Sequence, residues 1–130
     1  MKNAALIFVI ASTLNSFNLA HAEGQDPVAM KKMYDATRNS SGLITYCVDK
    51  GFLKADSTES AKKMVAYVAG IPGGMDTSGG DKSEAYGREG KVMEQDGQYK
   101  SLEIGAPQGV EAWCKGADEG IRKGLESVGL

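Results

Sequence analysis

Cys47 and Cys114 are the two cysteines of this chain, and each falls on the apolar stripe of a helical segment. From Pro27 onward, Met30, Met33, Tyr34, Thr37, Ile44, Cys47, Val48 and Gly51 keep the three-and-four spacing of one helix face. Near the other end Val110, Trp113, Cys114, Ala117, Ile121, Leu125 and Val128 form the clearest stripe in the sequence. A bond between the cysteines would join the first helix to the last through their buried faces. Agreement between helical phase and cysteine position constrains the fold more than any other feature.

Oxidation of that pair depends on the compartment. The opening "MKNAALIFVIASTLNSFNLAHA" sets one lysine before an apolar run and closes on Ala20, His21, Ala22. This is the layout of a secretory signal peptide over residues 1–22, with the mature chain starting at Glu23. No cysteine follows the cleavage site to carry a lipid, so the expected product is soluble and periplasmic. There one disulfide, Cys47 with Cys114, is expected, and the chain-entropy model assigns so long a loop roughly 4 kcal/mol.

Residues 23–130 then read as a single helical domain. Asp26 followed by Pro27 is a helix start. The periodic face runs through "NSSG" at 39–42, which fits either one long helix or two broken near Asn39, and Gly51 is a plausible C-cap. Asp56 with Glu59 has the spacing of a capping box; Ala61, Met64, Val65 and Val68 follow on one face, and Gly70 and Pro72 stop it. Residues 70–84, "GIPGGMDTSGGDKSE", hold five glycines and a proline and read as a long surface loop. Residues 83–96 read as a weak helix with Tyr86, Gly90 and Met93 inward; "GQYKSLEIGAP" alternates too briefly to define a sheet, and Pro107 introduces the last helix. The expectation is an all-α fold, a small bundle of four to five helices closed by one disulfide, with a long glycine-rich loop.

Composition removes much chemistry. The single histidine, His21, lies in the signal, which excludes histidine triads and histidine metal sites from the mature chain and leaves no cofactor motif to expect. Lys2 leaves with it, so 15 basic residues become 14 against 17 acidic ones, a net charge of −3. Interspersed charges of that balance argue against nucleic acid or anionic lipid as partner. Ser60 and Lys63 match SxxK without the accompanying motifs of penicillin-recognising enzymes. A calcium loop begun at Asp76 would place Asp81 where glycine belongs and Gly87 where glutamate belongs. No carboxylate pair is marked as buried, so a glycosidase is not expected.

Two features remain as candidate binding elements. Within the 70–84 loop, Met75 sits among Asp76, Thr77, Asp81 and Lys82, and loops this long in compact domains are either functional or disordered. In the last helix Gly116, Gly120 and Gly124 make a stripe beside the apolar face. Each glycine costs a helix about 1 kcal/mol, so a close helix crossing within the bundle is expected to offset it; a groove for a partner is the alternative. Trp113 is expected to pack in the core against the disulfide.

An exported helical domain of this size, with one disulfide and no histidine, resembles three periplasmic groups: immunity proteins against peptidoglycan-cleaving type VI toxins, HdeA-like acid-stress chaperones, and secretin pilotins. "LITYCVDKG" followed by "YVAGIPGGM" is similar to the Cys, then Tyr-x-x-Gly arrangement of one immunity group over about a quarter of the chain; further cysteines of that group are lacking. A lipobox, usual in pilotins, is lacking too. The resemblance and the missing catalytic motifs together imply a non-enzymatic protein that binds another protein, as inhibitor or immunity factor of a cell-wall hydrolase. The alternative is a chaperone or assembly factor of an envelope or secretion machine, or an acid-stress chaperone. Monomer and homodimer both fit.

Overall fold

The computed structural model describes residues 26–130; the expected signal over residues 1–22 and the processing site before Glu23 lie outside them. Among the described residues the elements are α1 (Pro27–Asp49), α2 (Asp56–Ala69), α3 (Gly80–Arg88), β1 (Lys91–Met93), β2 (Tyr99–Ser101), α4 (Leu102–Gly105) and α5 (Val110–Ser127). The domain is mostly helical, and Cys47 is bonded to Cys114, joining α1 to α5. An antiparallel hairpin, Val92 opposite Lys100, corrects the all-α expectation.

α1 begins as its sequence dictates. The Asp26 carboxylate accepts from the Val28 N–H at 3.0 Å, and proline occupies the first turn, where no N–H is needed. The helix continues unbroken through Asn39–Gly42 for 23 residues. It ends in a Schellman motif: Gly51 turns left-handed at φ +80°, its N–H donates to Val48 O and the Phe52 N–H to Cys47 O, both at 2.9 Å.

α2 starts differently from its expected capping box. Asp56 is inside the helix, and the preceding Ala55 supplies no side-chain acceptor. Main-chain turns from Ser57 to Lys54 and from Thr58 to Ala55 begin the helix instead, while Arg122 of α5 draws the Asp56 carboxylate to 3.2 Å. Ala61 and Val68 are buried, with Met64 and Val65 half-buried, as the spacing predicts, and Gly70 follows the last turn.

The largest corrections concern residues 70–106. The irregular loop covers 70–79 only, because α3 already begins at Gly80. The helix expected over 83–96 stops at Arg88, and Val92 and Met93 belong to β1. Glu94 N–H donates to Gln98 O at 2.7 Å, closing the hairpin around Gln95, Asp96 and Gly97. Leu102 enters the core from the short α4, and α5 starts at Val110, beyond Pro107. Trp113, expected in the core, is only half-buried, although Cys114 and Leu125 of the same stripe are buried.

α1 is the central helix. Over Asn39–Ile44 nearly every side of it is covered, by α2 and α5 on one flank and by α3 on the other. The close crossing expected at the α5 glycines lies here instead. A Cβ on Gly42 would stand 2.1 Å from Glu84 O, and one on Gly87 would stand 2.3 Å from Asn39 O. Gly116 and Gly120 face open space, and Gly124 meets only the tip of the Met64 side chain, at 2.9 Å. The α5 stripe is therefore not a close helix crossing.

Asn39 fastens α3 and the hairpin to α1. It is 2% exposed; its Nδ2 donates to Ser83 O at 3.0 Å and to Lys91 O at 2.9 Å, while its Oδ1 accepts from the Met93 N–H at 2.9 Å. Asn39→Ala leaves buried backbone groups of α3 and β1 short of partners, and a loss of about 2 kcal/mol is expected in urea unfolding. A change under about 0.5 kcal/mol would show that water replaces the amide.

Candidate binding face

The Gly70–Gly79 loop joins the end of α2 to the start of α3 and lies over the first turns of α1. Lys31, Tyr34, Asp35 and Arg38 form one row along α1, at the spacing that puts side chains on a single face. The loop's last residues rest on that row. A Cβ at Gly79 would lie 2.6 Å from Lys31 Nζ and 2.8 Å from Asp35 Oδ2; one at Gly80 would lie 2.7 Å from the Tyr34 ring and 2.8 Å from Arg38 Nη1. Glycine serves close seating at these two positions.

Arg38 organises the junction. Its Nε donates to Glu84 Oε2 at 2.6 Å, Nη1 to Tyr34 Oη at 3.0 Å and Nη2 to Asp81 Oδ1 at 2.7 Å. Burial works against the guanidinium charge, but these bonds outweigh it and hold the group above its ordinary pKa. Arg88 closes the other side of Glu84 at 2.8 Å. Lys31 pairs with Asp35 at 2.8 Å, leaving the buried Asp35 Oδ1 without a hydrogen-bond partner among the described residues.

The five predicted loop residues divide between two elements. Met75, Asp76 and Thr77 belong to the loop; Asp81 and Lys82 lie in the first turn of α3. Asp76, Thr77, Asp81 and Lys82 are exposed, whereas Met75, expected to be exposed, is half-buried. Asp76 Oδ1 accepts from the Ser78 N–H at 2.9 Å, shaping the turn that leads into α3. That backbone bond comes first among the causes holding the Asp76 carboxyl below the ordinary aspartate range. The sign follows from linkage: a depressed folded value gives order that is complete above the unfolded pKa and lost as pH falls through the lower, folded one. The Ser78 amide resonance is expected to move over that acidic window while core amides stay fixed; movement only near neutrality would contradict the assignment.

Beside the loop, a groove of about 310 Å³ separates the start of α1 from the hairpin, lined by Lys31, Lys32, Asp35, Met93 and Tyr99 among others. Lys32 Nζ reaches Gln95 O across it. The Tyr99 ring stacks on Tyr86 with centroids 4.3 Å apart, and its hydroxyl bonds Ser83 at 2.8 Å. The partly buried carboxylates each face a cation: Asp35 faces Lys31, Glu84 faces Arg38 and Asp118 faces Arg122. Among the described residues no group of three or more acidic, cysteine or histidine side chains is placed to hold a metal ion, and no helix is long and apolar enough to cross a membrane.

Sequence reasoning missed Lys31, Tyr34, Asp35, Arg38 and Glu84. The four-residue spacing of Lys31 and Asp35 is visible in the sequence; the reach from Arg38 to Glu84 and Asp81 spans more than 40 residues and leaves no local trace. The α5 glycines, the other candidate face, stay apart from this junction: Gly116 and Gly120 are exposed, Gly124 half-buried.

No family model matches the chain. No solved structure matches it. Over 70 residues, 54% of this chain, it is 34% identical to the vacuolar protein-sorting protein BRO1 of Cryptococcus neoformans strain JEC21, and 33% identical to that of strain B-3501A. The chain spans about 7% of the length of those curated relatives, so the likeness concerns one short stretch of them.

Proposed function

We propose that this is an exported, non-enzymatic periplasmic protein that acts by binding another protein, as an inhibitor or immunity factor against a cell-wall-degrading enzyme. The observation that supports this reading is the mounting of the 70–79 loop. Its tip carries exposed Asp76 and Thr77, its last residue Gly79 sits close over Lys31 and Asp35 of α1, and the α3 helix that follows is held to α1 by Arg38 through Asp81 and Glu84. An element ordered before contact loses less conformational entropy on binding, which is what a cleft-inserting inhibitor needs. Replacing residues 74–77 with a glycine-serine tetrapeptide, with Gly79 and Gly80 kept, is expected to abolish inhibition in muramidase and amidase assays at unchanged melting temperature. Full inhibition by that variant would sink the reading.

An apolar groove supports a second reading, a chaperone or envelope assembly factor. It holds about 230 Å³ between α1, α2 and α5 and is lined by Met33, Ala36, Met64 and Ile121. The exposed α5 glycines lie on one of its walls' helices. Gly120→Leu is then expected to weaken client binding without lowering stability; unchanged client binding would count against it.

A further inference from the structure

The fold treats the two outer edges of the hairpin differently. Leu102 N–H donates to Gly90 O at 2.8 Å and Glu94 N–H to Gln98 O at 2.7 Å, in the register that sets Val92 opposite Lys100. The cross-strand bonds therefore fall on even-numbered residues, and by antiparallel alternation the main-chain groups of residues 91, 93, 99 and 101 point away from the hairpin. On the β1 side Asn39 takes up Lys91 O and the Met93 N–H, as a neighbouring strand would. On the β2 side the Tyr99 N–H and C=O and the Ser101 N–H meet no partner among the described residues. β2 pairs with β1 and runs on into the short α4, and through the Tyr99 side chain it also packs on Tyr86 and Ser83 of α3.

We infer that the outer edge of β2 is a docking site for an extended segment of a partner protein, which adds as a third strand and places an acidic side chain opposite Lys100. The alternating donors and acceptors at Tyr99 and Ser101 match an extended backbone. Lys100 selects the occupant. Its side chain is 69% exposed and only loosely paired, 3.7 Å from Glu94. A second copy docking about a two-fold axis at this three-residue edge would set lysine 100 of each copy directly opposite the other, a repulsive arrangement that edge lysines commonly enforce. A partner segment with aspartate or glutamate there gains the opposite charge. The inference rests on the reading that the chain binds protein, but uses a surface other than the 70–79 loop.

Ser101→Pro tests it cleanly. Ser101 has φ −61°, the angle proline prefers, its N–H bonds nothing among the described residues, and Lys100 before it is extended. The probe is a phage-displayed library of random dodecapeptides panned against the full chain. Enriched peptides are expected to carry an acidic residue within a β-prone run, and to bind Ser101→Pro roughly tenfold more weakly or worse, since one hydrogen bond is lost and the ring obstructs the edge. Lys100→Glu, which leaves the backbone alone, is expected to enrich basic residues instead. Equal binding to wild type and Ser101→Pro, an unchanged charge preference with Lys100→Glu, or no enrichment over a bare surface would overturn the inference. Peptides lost on replacing residues 74–77 but kept by Ser101→Pro would overturn it while leaving the loop reading, which has its own tests, intact.

Discussion

Gly87→Ala is expected to destabilise the domain by about 3 kcal/mol, while the same substitution at Gly120 is expected to stabilise it by up to about 1 kcal/mol. The added methyl at Gly87 would lie 2.3 Å from Asn39 O and 2.7 Å from Leu43 N, both backbone atoms that no rotamer change can move. α1 and α3 would have to separate by about an ångström, stretching the Asn39 bonds to Ser83 and Lys91 that depend on their approach. Overpacking of a well-packed interior costs typically 1–3 kcal/mol, and a backbone obstruction belongs at the upper end. At Gly120 nothing lies within 4 Å, so alanine contributes only its better helix propensity and a less flexible unfolded chain. Urea unfolding of both variants reads the two signs directly. A loss at Gly120 as large as that at Gly87 would mean that the α5 stripe packs against something after all.

Opening the disulfide by the paired substitution Cys47→Ala and Cys114→Ala is expected to cost about 4 kcal/mol. The bond spans a sequence separation of 67, and the loop-closure entropy it removes from the unfolded chain reaches that size, less any residual unfolded structure. A domain this small holds about 5–15 kcal/mol in all, so the loss takes a large share. Both cysteines are 0% exposed, so reductant should act slowly on the native chain and quickly once urea opens it. A fall of less than about 1 kcal/mol in the double variant would mean that helix packing alone holds α1 to α5.

α1, α2 and the disulfide were legible because their signals are local: a proline after Asp26, apolar residues at helical spacing, two cysteines in phase with two stripes. The later part of α3 falls within the weak helix expected over 83–96, but its first turn was hidden because Gly79 and Gly80 read as breakers. In the structure Gly80, Ser83 and Gly87 are its buried residues, and the small side chains allow the approach to α1. That pairing exists only in three dimensions; the α5 glycines, with more regular spacing, pack against almost nothing. The hairpin did leave a trace. Asp96 and Gly97 form a turn dipeptide, with Gly97 at φ +83° and the Asp96 carboxylate accepting from the Gln98 N–H at 2.9 Å, but the strands are three residues each, too short for alternation to register. Asn39 looked like weak helix material, since its three acceptors and donors come from residues more than 40 positions away.

The candidate face follows the same division. The loop's composition marked its place, and Asp76 and Thr77 stand exposed as expected. What seats the loop, the α1 row from Lys31 to Arg38, came only from the fold. The two candidate faces predict different neighbours in the cell, and a photoreactive side chain placed at residue 77 or at residue 120 separates them. Crosslinking in the producing cells, with each adduct identified by mass spectrometry, is expected to join residue 77 to a cell-wall-degrading enzyme and to leave residue 120 without that adduct. An adduct from residue 120 alone, or none from residue 77, would contradict the account.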